Sequence, residues 1–174
     1  MNHQNLWAPW RMAYLRDLER QAGDLGPHTD QAAGSFFADY WAHPELDEAN
    51  HVIRRTEHGM ILLNRYPYAN GHLLVALAEP RPTLLDYDPP QRAAFWQLIE
   101  LATDLMQRTL QPQGINTGIN QGKAAGAGVP EHLHAHLVPR WAGDTNFMSV
   151  VGRVRVIPDA LGAMAAEYRR VSGL

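Results

Sequence analysis

"EHLHAHLVPRW", residues 131–141, places histidine at 132, 134 and 136, with Leu133, Ala135 and Leu137 in the positions between. A β-strand points successive side chains to opposite faces, so this alternation becomes one row of imidazoles backed by one apolar row. At about 3.3 Å of rise per residue, neighbouring histidines of the row have Cα atoms about 6.6 Å apart, close enough to serve one ligand. One face of the strand is apolar and the other carries chemistry.

Working outward, "HVIRR" (51–55), "GMILLN" (59–64) and "HLLVAL" (72–77) are short apolar or β-branched runs. The last two are joined by "RYPYANG", whose Pro67 and Asn70-Gly71 are turn signals. "GINTGIN" (114–120) reads as a further strand ahead of the histidines, and "RVRVIP" (153–158) as one after them. Between these groups, "PPQRAAFWQLIELATDLMQRTL" (89–110) sets Phe95, Leu98, Ile99, Ala102, Leu105, Met106 and Thr109 on a 3–4 spacing behind two prolines, which predicts one long helix. "DALGAMAAEYRRV" predicts a final helix with Asp159 as its N-cap. Near the start, "LWAPWRMAYLRDLER" (6–20) reads as a turn into a short helix carrying Trp7, Trp10 and Tyr14, and the Gly- and Pro-rich stretch 21–35 as a loop. Strands in neighbouring runs around one long helix predict an antiparallel α+β fold: about five strands, the long helix packed on them, and a C-terminal helix.

The totals bound the function. At 174 residues and 45% hydrophobic composition the chain suits a single domain spanning 1–174, read as an N-terminal extension (1–50), a core of about 50–158 and a C-terminal helix (159–172). A formal charge of −3 without runs of like charge speaks against a nucleic-acid groove or a polybasic membrane contact. The chain has no cysteine, which removes disulfides, thiolate metal ligands and a cysteine nucleophile together. With neither a signal-like apolar run at the start nor a run of membrane-spanning length, the expected location is the cytoplasm.

Three readings compete for the histidine row. The imidazoles are hydrogen-bonded structural groups, or they hold zinc as His-x-His with a ligand from elsewhere, or they carry out phosphorus chemistry. In the last case one neutral imidazole attacks a phosphate while the others bind its oxygens or move protons, with cationic neighbours helping to keep the attacker neutral. Phosphorus chemistry calls for an anion cradle, and "NQGKAAGAGV" (120–129) leads into the row with three glycines able to aim several N–H groups at one anion. It is not a Walker loop: Gly122-Lys123 is followed by alanine, Thr117 stands where the first Walker glycine would be, and no Ser or Thr follows the lysine for magnesium.

"HLHAHLV" resembles the His-φ-His-φ-His-φ-φ signature of the histidine triad (HIT) superfamily of nucleotide hydrolases and transferases. "LLNRYPYANGHLLV" (62–75) is similar to that family's Asn-x-x-Pro-x-x-x-Gly-His segment, and "NQGKAAGAGVP" to its Gly-rich loop. The tail "VPRWAGDTNFM" and the opening "LWAPWRMAYL" look more like the branch of diadenosine tetraphosphate phosphorylases and fragile-histidine-type dinucleoside polyphosphate hydrolases than that of nucleoside phosphoramidases. The resemblance implies a HIT-like fold and the transfer of a nucleoside monophosphate from a dinucleoside polyphosphate to phosphate or water. His134 would be the nucleophile, His136 the contact to the α-phosphate and bridging oxygen, and His132 the backbone carbonyl that holds the His134 ring. His72 would be a fourth histidine near the same phosphate, Asn64 a ribose contact, and Asn120 a contact to phosphate or ribose. Gly126, Ala127, Gly128 and Val129 would offer backbone N–H groups. The resemblance further implies no cofactor held by the protein, magnesium arriving with the substrate, an adenine base and a homodimer or higher homo-oligomer. Two departures stand out. Ala127-Gly128 occupies a place where many relatives carry Gln-Ser or Gln-Thr, and "SFFADY" (35–40) stands where some bacterial relatives begin with a Cys-x-x-Cys zinc pair, with Phe36, Phe37 and Tyr40 expected to pack there instead.

Overall fold

The computed structural model describes residues 35–144 and 160–173. Their order along the chain is α1 (Phe36–Ala42), β1 (Val52–Arg55), β2 (Gly59–Leu63), β3 (Leu73–Leu77), α2 (Pro89–Leu110), β4 (Gly114–Ile119), β5 (His134–Arg140) and α3 (Leu161–Ser172). Short 3₁₀ turns lie at Pro44–Leu46, Leu84–Asp86 and Lys123–Ala125. The chain divides into Met1–Ala33, which falls outside the described residues, and Gly34–Leu174, which contains everything below.

Helix α2 begins where its sequence requires. Asp88 accepts from the Gln91 N–H at 2.8 Å while the Gln91 side chain accepts from the Asp88 N–H at 3.0 Å, and the prolines fill first-turn positions that need no intrahelical N–H. Its buried stripe is Ala94, Phe95, Leu98, Ile99, Ala102, Leu105 and Met106. The stripe packs on one sheet of order β1-β2-β3-β5-β4, antiparallel at every pairing. Period-two alternation sends Ile61, Leu63, Leu73, Val75, Leu77, Leu133, Ala135 and Leu137 toward α2 and α3. Each fully buried Leu or Val side chain contributes about 1.5–3 kcal/mol, so this face dominates stability. On the opposite face Met60, Leu62, Leu74 and Ala76 form a smaller cluster with Phe37 of α1 and with Val129.

Arg55 ties α1 and the turn after it to the sheet. Its guanidinium pairs with both oxygens of Asp47 at 2.6 and 2.8 Å, donates to the carbonyls of Tyr40 and Trp41, and lies 5.0 Å from the Trp41 ring centre. From the other end of the chain, Arg169 of α3 donates to the carbonyls of Val52 and Asp47.

Two expectations are corrected. The histidine strand starts at His134; His132 lies in a bend just before it, its N–H bonded to the Val129 carbonyl while Leu133 donates to Arg81. The C-terminal helix has Ala160 as N-cap with no side-chain cap, and Asp159 lies outside the described residues. The same is true of the expected helix at 6–20, of 21–34 and of the expected strand at 153–158. Among the described residues no helix is long and apolar enough to cross a membrane.

Candidate active site

The site is built where β5 meets α1. Ser35 caps α1 by accepting from the Phe37 N–H at 3.2 Å, and its hydroxyl lies 2.7 Å from His132 Nδ1. The other nitrogen of that ring, Nε2, is 2.8 Å from the Leu77 carbonyl, which accepts only. His132 therefore carries its proton on Nε2, and Ser35 donates to Nδ1. The ring is fully buried and both nitrogens are engaged, so what His132 offers its neighbour is its backbone. Its carbonyl lies 2.9 Å from His134 Nδ1 and so takes the Nδ1–H. That bond leaves His134 Nε2 without a proton, as a nucleophile requires. Phe37 packs against both rings, with centroids 5.2 Å from His132 and 4.9 Å from His134.

A second pair completes the row. His136 stands across from Leu74 on β3 and from Gly118 on β4, and its Nδ1 is 3.1 Å from Nε2 of His72. His72 directly follows Gly71, whose φ of 79° favours glycine and whose missing Cβ would meet Leu110 Cδ1 at 2.3 Å. The Tyr168 hydroxyl of α3 donates to the Gly71 carbonyl at 2.8 Å, so the C-terminal helix fixes the turn that presents His72. On the far side of that ring, Nδ1 accepts from the Tyr68 backbone N–H at 3.1 Å and lies 3.2 Å from Asn64 Nδ2. The Asn64 carbonyl oxygen accepts from Tyr66 N–H at 2.9 Å, which sets the amide orientation. The Tyr68 ring lies 4.6 Å from His72 and 5.7 Å, nearly parallel at 14°, from His136.

Burial sets the charge states. It pushes the pKa of His132 and of His134 below the ordinary histidine value, and His136 is lowered to about 4 by burial with His134 adding to it. The expectation that cationic neighbours keep the attacker neutral is thus replaced: for His134 desolvation does it, against the opposing pull of the His132 carbonyl and Glu131.

The predicted nucleotide contacts fall into three groups. Asn120 follows Ile119, which pairs with Ala135, and so leaves β4 beside His134. Asn64 has both amide ends engaged with His72 and Tyr66, although its nitrogen keeps a second hydrogen that a ribose hydroxyl can accept. In the Gly-rich loop the N–H groups of Gly126 and Ala127 turn back to the carbonyls of Lys123 and Gly122, with Gly126 at φ 86°. These two donors close the loop on itself, leaving the N–H groups of Gly128 and Val129 as the ones nearest the row in sequence. Arg140, at the far end of β5, is taken up by both oxygens of Asp144 and by Asn116. It is the salt-bridged end of a strand; Asn146 lies outside the described residues.

The donor set does not suit a metal on the three alternating histidines. His132 has no nitrogen to spare, His134 and His136 each use Nδ1, and no group of three or more potential ligands converges among the described residues.

Residues 45–143 match the profile of the HIT domain. The chain belongs to the HIT family. It is 35% identical, over 96% of its length and 85% of the relative's, to a Mycobacterium tuberculosis protein named AP-4-A phosphorylase. A Schizosaccharomyces pombe protein named bis(5'-nucleosyl)-tetraphosphatase (asymmetrical) is 29% identical over 53% of this chain and 50% of its own. Among solved structures, a zinc-bound histidine triad family protein from Mycobacterium smegmatis superposes with a TM-score of 0.63 at 27% identity, covering 80% of this chain and 96% of that one. For this HIT protein the five-stranded antiparallel sheet with its long helix is the family's fold.

Several site residues escaped the sequence reading: Ser35 beneath His132, Leu77 through its carbonyl, Tyr68 over His136, and Tyr168 behind Gly71. Ser35 lies 97 positions from His132, and no local pattern links the two. Tyr68 sits within a quoted motif, and its place four residues before His72 was the available signal.

Proposed function

We propose that this protein is a nucleotidyl transferase acting on dinucleoside polyphosphates, diadenosine tetraphosphate or triphosphate, through a nucleoside monophosphate bound covalently to His134. The observation that carries the reading is the 2.9 Å bond from His134 Nδ1–H to the His132 carbonyl, which directs a bare, buried Nε2 lone pair into a site that holds two further imidazoles. His134 Nε2 attacks the α-phosphorus; the polyphosphate half leaves beside His136; the acceptor then attacks the adduct from the same side. Inorganic phosphate as acceptor gives ADP, water gives AMP. Likeness to the M. tuberculosis AP-4-A phosphorylase along nearly the whole chain supports phosphate.

The N–H groups of Gly128 and Val129 and the side chain of Asn120 bind the phosphate, and Asn64 reaches the ribose with its remaining amide hydrogen. No metal resides in the protein on this reading; magnesium arrives with the polyphosphate. Adenine is the base, the protein acts in the cytoplasm, and it assembles as a homodimer or larger homo-oligomer, which light scattering would check. The deciding assay mixes protein, diadenosine tetraphosphate and labelled phosphate. Label in ADP is expected. Unlabelled AMP alone would make the protein a hydrolase, and no product from either acceptor would remove the reading.

A further inference from the structure

Tyr168 of α3 belongs to the cluster on the face of the sheet opposite the histidine row, so its side chain does not reach a substrate held by that row. Its ring asks only for apolar neighbours, and a phenylalanine would fill the same space. Its buried hydroxyl, however, donates at 2.8 Å to the Gly71 carbonyl, which belongs to the peptide group leading into His72. We infer that Tyr168 is a positioning residue for the reaction at His134, and that through this one bond α3 sets the turn that aims His72 at His136. This role rests on the proposed function, in which the histidine row handles the phosphates.

The turn itself is short. His72 N–H donates to the Ala69 carbonyl at 3.2 Å and Gly71, its third residue, has φ 79°, which is the type II pattern. The peptide group between Gly71 and His72 is therefore held at both ends, its oxygen by Tyr168 and its N–H by Ala69. Beyond it, the His72 carbonyl accepts from the Asn64 N–H at 2.8 Å. Two of these three bonds lie within the connection from β2 to β3, and the third, from Tyr168, arrives from 97 positions away. What they hold in place is a fully buried ring whose Nε2 lies 3.1 Å from His136 Nδ1.

The donor is itself anchored. Next to it in sequence, Arg169 donates to the carbonyls of Val52 at 2.9 Å and Asp47 at 3.1 Å. At the end of α3, Arg108 of α2 donates to the Val171 carbonyl at 3.0 Å and Arg54 of β1 to that of Ser172 at 3.4 Å. On the other side of the bond, a Cβ added to Gly71 would lie 2.3 Å from Leu110 Cδ1 and 3.0 Å from the Tyr168 hydroxyl, so the turn is seated against both helices. Packing of this kind is non-directional, whereas a hydrogen bond prefers one distance and one angle. Removing the hydroxyl leaves a buried carbonyl short of its donor, at the residue whose backbone is the most permissive. Burial raises the Tyr168 pKa above the ordinary phenol value, which keeps the hydroxyl a donor at neutral pH.

Tyr168→Phe keeps the ring and removes the hydroxyl; Met164→Ala empties a buried site one turn earlier on the same helix. Both should lower the melting temperature. In the labelled-ADP assay Tyr168→Phe should lose about 10-fold or more in kcat per folded molecule, within the roughly 10²-fold that a 1 Å misplacement costs, while KM for diadenosine tetraphosphate moves less than about twofold. Met164→Ala should keep the wild-type kcat. In a His72→Gln background, adding Tyr168→Phe should cost less than about twofold more, because the hydroxyl acts through the residue already lost. The ring ¹⁵N signals of His72 should shift in Tyr168→Phe and hold in Met164→Ala. An unchanged kcat in Tyr168→Phe, an equal loss in Met164→Ala, or losses that multiply in the double variant would each overturn the positioning role. Were the wild-type protein to form no product with either acceptor, the proposed function would fall instead. The His72 ring signals would then decide the link alone, a shift confined to Tyr168→Phe upholding it and unchanged signals overturning it.

Discussion

On the face of the sheet turned to α2 and α3, Leu133, Ala135 and Leu137 join a mostly apolar cluster whose two side-chain hydroxyls, those of Tyr87 and Tyr168, each donate to a backbone carbonyl. On the face turned to α1, His134 and His136 alternate with them, and among the described residues no buried side-chain nitrogen or oxygen lacks a partner. The same strand thus serves two kinds of physics. Burial is non-directional, so the first face tolerates swaps of similar volume. Hydrogen bonds fix where each proton sits, so on the second face a substitution that preserves shape can still end the chemistry.

The largest effect should come from the polar face with little change in stability. His134→Asn removes the nucleophile, and turnover of diadenosine tetraphosphate should fall by about 10⁴-fold or more, the scale of losing a catalytic nucleophile. The melting temperature should move by only a few degrees, in keeping with about 1 kcal/mol for one hydrogen bond. Residual turnover near the wild-type rate would mean that some other group attacks.

The converse substitution lies behind the sheet. Phe95→Ala empties a fully buried site in α2 and should cost about 3–5 kcal/mol in denaturant unfolding. The rate per folded molecule should stay at the wild-type value. A matching loss of rate would show that the two faces are mechanically coupled and would break the comparison.

Much of this division could be read from residue order. Alternation along 132–137 separated the imidazoles from the apolar side chains, and the 3–4 spacing of 95–109 marked α2 almost to its ends, because both are local periodicities with one physical meaning. The readings that failed involve contacts distant in sequence or small changes in backbone direction. His132 looked like a strand residue, yet its backbone bends to meet Val129 and its ring is held by Ser35 and Leu77. Glycine count suggested a cradle at 120–129 without saying which of its donors stay available, and in the fold Gly126 and Ala127 spend their N–H groups inside the loop. The neutrality of His134 was expected from charge and comes from burial, which composition cannot assign to a position.

Acid should act on the polar face first. A histidine whose folded pKa lies below its unfolded value binds its proton more tightly in the unfolded chain, so its contribution is fully present above about pH 6.5 and is lost as pH falls. For His136 the window runs from 6.5 down to about 4. His132 and His134 shift in the same direction. Unfolding free energy should therefore drop by on the order of 2–3 kcal/mol for His136 alone across that window. Replacing His136 with Gln should flatten the curve, and a variant with an unchanged slope would assign the acid sensitivity elsewhere.

Ser35→Ala tests whether the polar face extends to α1. It leaves buried His132 Nδ1 without its donor and removes the α1 cap, together about 2 kcal/mol. The accompanying fall in kcat should exceed any rise in KM, because His132 presents the carbonyl that orients His134. Ser35→Thr, which keeps the hydroxyl, should recover most of the rate. Equal losses in the two variants would reduce Ser35 to packing.

The smallest effect is expected at the far end of β5. Arg140 is six residues beyond His134, about 20 Å along an extended strand. Its guanidinium is filled by the two oxygens of Asp144 and by Asn116. An exposed arginine following a phosphate-handling strand invites assignment to the incoming phosphate, but an ion pair with these partners would have to break before the side chain could bind another anion. Arg140→Ala should therefore leave both the rate and its dependence on phosphate concentration unchanged. The measurement is KM for phosphate in the labelled-ADP assay. A several-fold rise in KM at constant kcat would place the acceptor site at the end of β5, and would mean that the functional face of the strand runs its whole length instead of ending at His136.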